Sequence, residues 1–106
     1  MQIPVNDALE KLKNSGKVFT ELFAYGTLVV EFYKPDKLDH QKPHSRDEIY
    51  VITSGEGDFF NDGKITPFKT GDFLFAKAGV EHRFLNFSPD FTTWVFFYGP
   101  EGGEKS

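Results

Sequence analysis

After Gly16 the chain reads as a run of short β-rich segments, each closed by turn residues, and no other feature limits the fold as strongly. The segments are 18–23, 27–33, 48–54, 57–61, 64–68, 72–76, 81–87 and 92–98, all rich in Phe, Val, Ile, Tyr or Thr. Between them stand Tyr25-Gly26, Ser54-Gly55, Asn61-Asp62-Gly63 and Thr70-Gly71-Asp72. Asp62-Gly63 is the strongest hairpin signal, because a type I′ turn needs positive φ at both central residues. Many short strands at close spacing predict a sandwich or barrel. The 13 phenylalanines need a closed interior or a buried interface to hold them.

Ahead of this run the chain predicts one short helix. Pro4 precedes it, Asp7 and Glu10 have capping-box spacing, Val5, Leu9 and Leu12 form an apolar stripe, and Gly16 is a stop signal. The expected organisation is a helix over 1–16, a β-barrel over 17–100 and a loose polar tail over 101–106.

A length of 106 residues fits one domain with a core that needs no disulfide. The absence of cysteine excludes thiolate metal sites and a Cys nucleophile. A net charge of -4, without a basic stripe, argues against nucleic-acid partners. No apolar stretch is long enough to span a bilayer, and the N-terminal segment lacks a signal-peptide pattern, so the expectation is a cytoplasmic protein without a membrane partner.

Three histidines are present: His40, His44 and His82. If 44–48 is extended, His44, Arg46 and Glu48 share one face. His82 opens a later strand. Two imidazoles and a carboxylate make a normal ligand set for Fe, Mn, Ni, Cu or Zn, and leave coordination positions open. By itself, a His and a Glu four residues apart also fits an ordinary polar strand face.

The spacing of these residues carries a resemblance. His44, three residues, Glu48, six residues and Gly55 match the second half of the first cupin motif. Gly71, Gly79, His82 and Asn86 match the second motif. The chain resembles the cupin superfamily, and within it small single-domain members of the conserved-barrel type. The resemblance extends over 41–57, 71–87 and 94–99. It implies an all-β fold, a double-stranded β-helix or jelly-roll barrel, with the short helix outside. It implies metal ligands at His44, Glu48 and His82, a divalent transition metal as cofactor, and a homodimer.

The chain departs from the family pattern at Lys42, where the first motif has another His, at Asp36 in place of the leading Gly, and at Lys77 in place of Pro. An ammonium cannot ligate a metal. Three arrangements stay open: a site with three protein ligands, a site completed by His40, or a metal-free polar pocket. In the last, Lys42 and Arg46 favour an anion. Tyr50 is assigned with Lys42 and Arg46 to the pocket lining, with ordinary barrel core as its other reading. Two functions follow. One is a metal-dependent enzyme, of oxygenase or isomerase type, on a small polar molecule. The other is a non-catalytic module that binds or senses a small anion. A plain dimerising scaffold is a third. The fold alone does not choose between them.

Overall fold

The computed structural model describes residues 1–105. Ser106, the end of the expected tail, lies outside the described residues. The chain order is α1 (Val5–Ser15), β1 (Phe19–Tyr25), β2 (Leu28–Tyr33), β3 (Asp47–Ser54), β4 (Glu56–Asn61), β5 (Lys64–Lys69), β6 (Phe73–Ala76), β7 (His82–Leu85) and β8 (Thr92–Tyr98). The strands form two antiparallel sheets. One has the order β1-β2-β8-β3-β6 and the other β5-β4-β7. This is the jelly-roll arrangement expected from the sequence.

Period-two alternation explains the interior. Tyr50 and Ile52 of β3, Phe59 of β4, Phe68 of β5, Phe84 of β7, Val95 of β8 and the nearby Phe91 form one buried cluster between the sheets. Phe84 sits at its centre. Its ring centroid lies 4.7 Å from that of Phe91, 4.8 Å from Tyr50, 5.2 Å from Phe59 and 5.4 Å from Phe68. These are edge-on or tilted pairs, the arrangements that the ring quadrupole favours. A large part of the phenylalanine content is thereby used.

The helix covers the outside of the larger sheet. Ala8 and Leu12, one turn apart, pack on Phe32, Leu22 and Trp94. The stripe expected from Val5, Leu9 and Leu12 is therefore rotated: Val5 and Leu9 are exposed. The expected capping box does not form either. The helix begins at Val5 with Pro4 as N-cap and no side-chain cap, and the Pro4 carbonyl accepts from the Asp7 and Ala8 amides. Asp7 instead stands in the first turn, where its charge meets the positive end of the helix dipole. Gly16 ends the helix in the left-handed region, at φ 68°. In the β4–β5 hairpin Asp62 and Gly63 have φ of 52° and 82°, as a type I′ turn requires.

The stretch read as a loose tail makes specific contacts. The Gly102 amide donates to the Ser45 carbonyl, and the Glu104 amide donates to Asp47 Oδ2 at 2.8 Å. Asp47 Oδ1 accepts from the Ala78 amide at 2.9 Å. These backbone hydrogen bonds hold the Asp47 carboxyl below its ordinary range. One buried carboxylate thus ties together the start of β3, the turn before β7 and the C-terminal segment. No helix is long and apolar enough to cross a membrane among the described residues.

Candidate metal centre

Three interactions bring the two histidine-bearing segments together. The His44 carbonyl accepts from the Gly79 amide at 2.8 Å, Asp47 holds Ala78, and Glu48 pairs with Ala76 across β3 and β6. Glu48 and Tyr50 then project inward from β3, and His82 projects inward from the first position of β7. The result is a group in which one donor atom each from His44, Glu48 and His82 lies within 4.8 Å of the others. His44 Nε2 is 3.7 Å from Glu48 Oε1, and His82 Nε2 is 2.9 Å from the same oxygen.

The electrostatics of this group are unusual. Glu48 is 1% exposed and His82 2%. His82 Nδ1 lies 2.9 Å from the Val80 carbonyl. A carbonyl can only accept, so the ring proton belongs on Nδ1, and a neutral His82 turns the Nε2 lone pair toward Glu48. Despite the short separation, neither Glu48 oxygen nor His82 Nε2 has a hydrogen-bond partner of acceptable geometry. A buried carboxylate facing an imidazole lone pair is costly unless a cation lies between them. That cation is either a proton on His82 or a metal ion. Burial opposes charge on His82, but Glu48 and the Val80 carbonyl outweigh it, so its pKa rises above the ordinary 6.5. The donor set, two imidazole nitrogens and one carboxylate, suits a divalent transition metal.

A network not anticipated from the sequence supports the group. Asp39 Oδ1 accepts from the Tyr33 hydroxyl at 2.6 Å and the Gln41 amide at 3.1 Å. Asp39 Oδ2 accepts from Gln41 Nε2 at 2.8 Å and the Phe84 amide at 2.7 Å. This sets the amide orientation of Gln41, whose Oε1 accepts from the Tyr50 hydroxyl at 2.9 Å and lies 3.3 Å from His44 Nε2. Burial, followed by the charge on Glu48, keeps the Tyr50 pKa well above 10.0, so Tyr50 remains a donor.

A cavity of about 730 Å³ opens onto His44 and Glu48. Its apolar wall includes Val18 and Phe19 before and within β1, Leu38 from the β2–β3 loop, and Val95 and Phe97 of β8. Glu31 and Tyr33 of β2, and Asp36, His40 and Gln41 from the loop, supply its polar groups.

The other candidate residues fall elsewhere. Lys42 is exposed and is not in the cavity wall; Gln41, one residue earlier, turns inward instead. Residues 45 and 46 bend before β3 begins at Asp47, so the shared face expected for 44, 46 and 48 does not extend to Arg46. The Arg46 guanidinium donates to the backbone carbonyls of Thr27 and Gly99, fastening the β1–β2 turn to the end of β8. Tyr50 is fully buried behind the His44–Glu48–His82 group, in contact with Gln41 and the aromatic core.

Known proteins agree with this architecture. The cupin domain model matches residues 29–98. An uncharacterised protein of Streptomyces coelicolor is 36% identical over 63 residues, covering 59% of this chain and 60% of that protein. An oxalate-binding protein of Thermotoga maritima is 46% identical over 39 residues, covering 37% of this chain and 32% of that protein. The matches therefore span less than two thirds of these relatives. An RmlC-like cupin from Shewanella frigidimarina superposes with a TM-score of 0.64 at 20% identity, covering 76% of this chain and 73% of that one, a likeness of fold. With the motif positions His44, Glu48, Gly55, Gly71, Gly79 and His82 in place and the family model covering most of the barrel, the chain belongs to the cupin domain family.

Proposed function

We propose that this chain is a metal-dependent cupin enzyme acting on a small molecule in the cavity above His44, Glu48 and His82. The observation that carries this reading is the buried Glu48 carboxylate facing two imidazole nitrogens, at 2.9 Å from His82 Nε2 and 3.7 Å from His44 Nε2. His44 Nε2, Glu48 and His82 Nε2 would hold the metal. When bound, it would supply Lewis acidity and open positions for a substrate or for oxygen. The Val80 carbonyl sets the His82 tautomer so that Nε2 is free to ligate. The Asp39–Gln41–Tyr50 network orients Gln41 Oε1 3.3 Å from His44 Nε2, a contact that a metal on Nε2 would replace. The apolar wall limits water and orients the organic part of the substrate.

The alternative of a cationic pocket for a free anion has less support. Neither Lys42 nor Arg46 lines the cavity, and none of its wall residues is a Lys or Arg.

We also propose that the protein acts as a homodimer. Phe73 and Phe75, 63% and 40% exposed, lie on the edge strand β6 beside the partly exposed Ile49 and Val51 of β3. A self-complementary apolar edge of this kind suits a twofold interface.

Elemental analysis of protein purified without a metal-chelating column tests the metal reading. One transition metal per chain, lost in both His44→Ala and His82→Ala, is the expected result. If neither the native protein nor protein dialysed against Fe(II), Mn(II), Ni(II) or Zn(II) holds metal, the proposal fails.

A further inference from the structure

The cavity contains a carboxylate that the metal centre does not use. Glu31 lies within β2, in the run Leu28–Tyr33, which is otherwise uncharged. Its neighbour Phe32 points outward under the helix, so Glu31 and Tyr33 point inward. Tyr33 is engaged by Asp39, whereas Glu31 makes no hydrogen bond to a side chain and no ion pair among the described residues. Its strand neighbours offer no compensation: Val95 stands opposite on β8 and Glu21 opposite on β1. Burial, then the charges on Glu48 and Glu21, raise its pKa above the ordinary 4.5. An uncompensated charge in a binding cavity selects the charge of what enters.

The titratable groups lining the cavity are Glu31, Asp36, Glu48, His40, His44 and Tyr33, with no Lys or Arg. Even with a divalent metal in place, three carboxylates exceed its two positive charges. A ligand that uses one anionic group to reach the metal adds a further negative charge. A second anionic group on the same ligand would then face Glu31 without a counter-ion. A distal ammonium or hydroxyl would instead give Glu31 its missing partner, with a charge-assisted hydrogen bond.

We propose that Glu31 is the specificity-determining residue of this cavity, selecting small molecules with a metal-binding group at one end and an ammonium or hydroxyl donor at the other, and rejecting dianions. The inference rests on the proposed metal centre and adds to it a substrate class, amino- or hydroxy-acids rather than dicarboxylic acids. Glu31 acts by discrimination, with the repulsive contact as important as the attractive one.

Two probes of equal chain length separate these cases: succinate, with a distal carboxylate, and β-alanine, with a distal ammonium. Their affinities for the metal-loaded protein are measured by calorimetry at neutral pH, in wild type and in Glu31→Gln, after metal content and folding of each have been checked. Wild type is expected to favour β-alanine by at least about tenfold, a moderate Coulombic effect for partly screened charges. Glu31→Gln, of the same shape without the charge, is expected to bring the ratio to within about twofold and leave the metal content unchanged. Equal affinities in wild type, a preference that survives Glu31→Gln, or binding of neither probe to loaded protein would each overturn the role of Glu31 while leaving the metal centre standing. Failure to load metal at all would remove the metal centre, and this inference with it.

Discussion

Replacing Glu48 by Gln is expected to change stability in opposite directions with and without metal. In the metal-free protein above the pKa of His82, the Glu48 carboxylate faces the Nε2 lone pair at 2.9 Å with both oxygens unpartnered. A buried charge in this state costs several kcal/mol, and an unsatisfied buried polar group about 1–3 kcal/mol. Glu48→Gln keeps the shape, removes the charge and supplies an amide N–H that can donate to Nε2. A gain of about 1–3 kcal/mol is expected, and each kcal/mol corresponds to roughly 4–8 °C in Tm for a domain near this size. The gain depends on pH. Because His82 titrates above 6.5 in the folded chain, its protonated form stabilises wild type fully below the unfolded value, and that contribution is lost as pH rises through the folded value. Glu48→Gln should therefore gain least in acid and most at alkaline pH. Metal reverses the order. At a hundredfold excess over Kd, a bound metal stabilises wild type by about 2.7 kcal/mol, which the variant forgoes along with its anionic ligand. Thermal melts in EDTA and in saturating Ni(II) or Zn(II), at pH 5.5 and pH 8.5, provide the assay. A variant less stable than wild type in EDTA at pH 8.5 would refute the reasoning, because the carboxylate would then be satisfied by the protein itself.

Other perturbations test the surrounding shell. Asp39→Ala removes the acceptor for four hydrogen bonds and should cost about 3 kcal/mol in urea unfolding, with a matching loss of metal affinity because Gln41 is no longer held. Equal metal affinity would separate the loop network from the site. Gly55→Ala should cost about 3 kcal/mol or more, since φ is 86° and a Cβ would lie 2.6 Å from Phe91 Cα; denaturant midpoints check this, and a cost below about 1 kcal/mol would contradict it. Phe73→Glu combined with Phe75→Glu should convert a dimer to a monomer in sedimentation without lowering Tm by more than a few degrees, because both rings are exposed within the chain. An unchanged dimer would place the interface elsewhere.

Much of the barrel was legible because its strands obey local rules. Turn residues close each segment, and Asp62-Gly63 adopts the positive φ values that its hairpin needs. The grouping of His44, Glu48 and His82 was legible only through the spacing of the two cupin motifs; the structure brings the residues together through the β3–β6 register and the Gly79 turn. What escaped lay where period-two reasoning does not apply. The 34–46 segment is not a strand, so counting parity back from Glu48 directed attention to Arg46, and the family motif position directed it to Lys42, when the inward side chain is Gln41. The helix stripe was misplaced because the choice between Leu9 and Ala8 depends on the sheet beneath, not on the helix. Asp39 was invisible, since its four donors are brought to it by the loop, β2 and β7 together. Glu31 did carry a signal: it is the single charge in Leu28–Tyr33, and a charge there must face either the helix or the cavity.

The candidate metal centre and the fold are therefore coupled more closely than a barrel with a pocket suggests. The same strand places Asp47 and Glu48 on opposite faces, both buried, with opposite consequences. Asp47 is satisfied by the Ala78 and Glu104 amides and binds the fold together. Glu48 receives no such bond and depends on a cation. If the chain could provide N–H donors to Glu48 as it does to Asp47, the apo barrel would gain stability and its attraction for metal would fall, because a carboxylate already hydrogen-bonded must lose those bonds to ligate. Leaving Glu48 without a backbone donor, with Asp39 and Asp47 holding the loops on either side, would keep binding energy available for the proposed metal. Apo stability and metal affinity should accordingly move in opposite directions across substitutions at Glu48, and together across substitutions at Asp39 and Asp47.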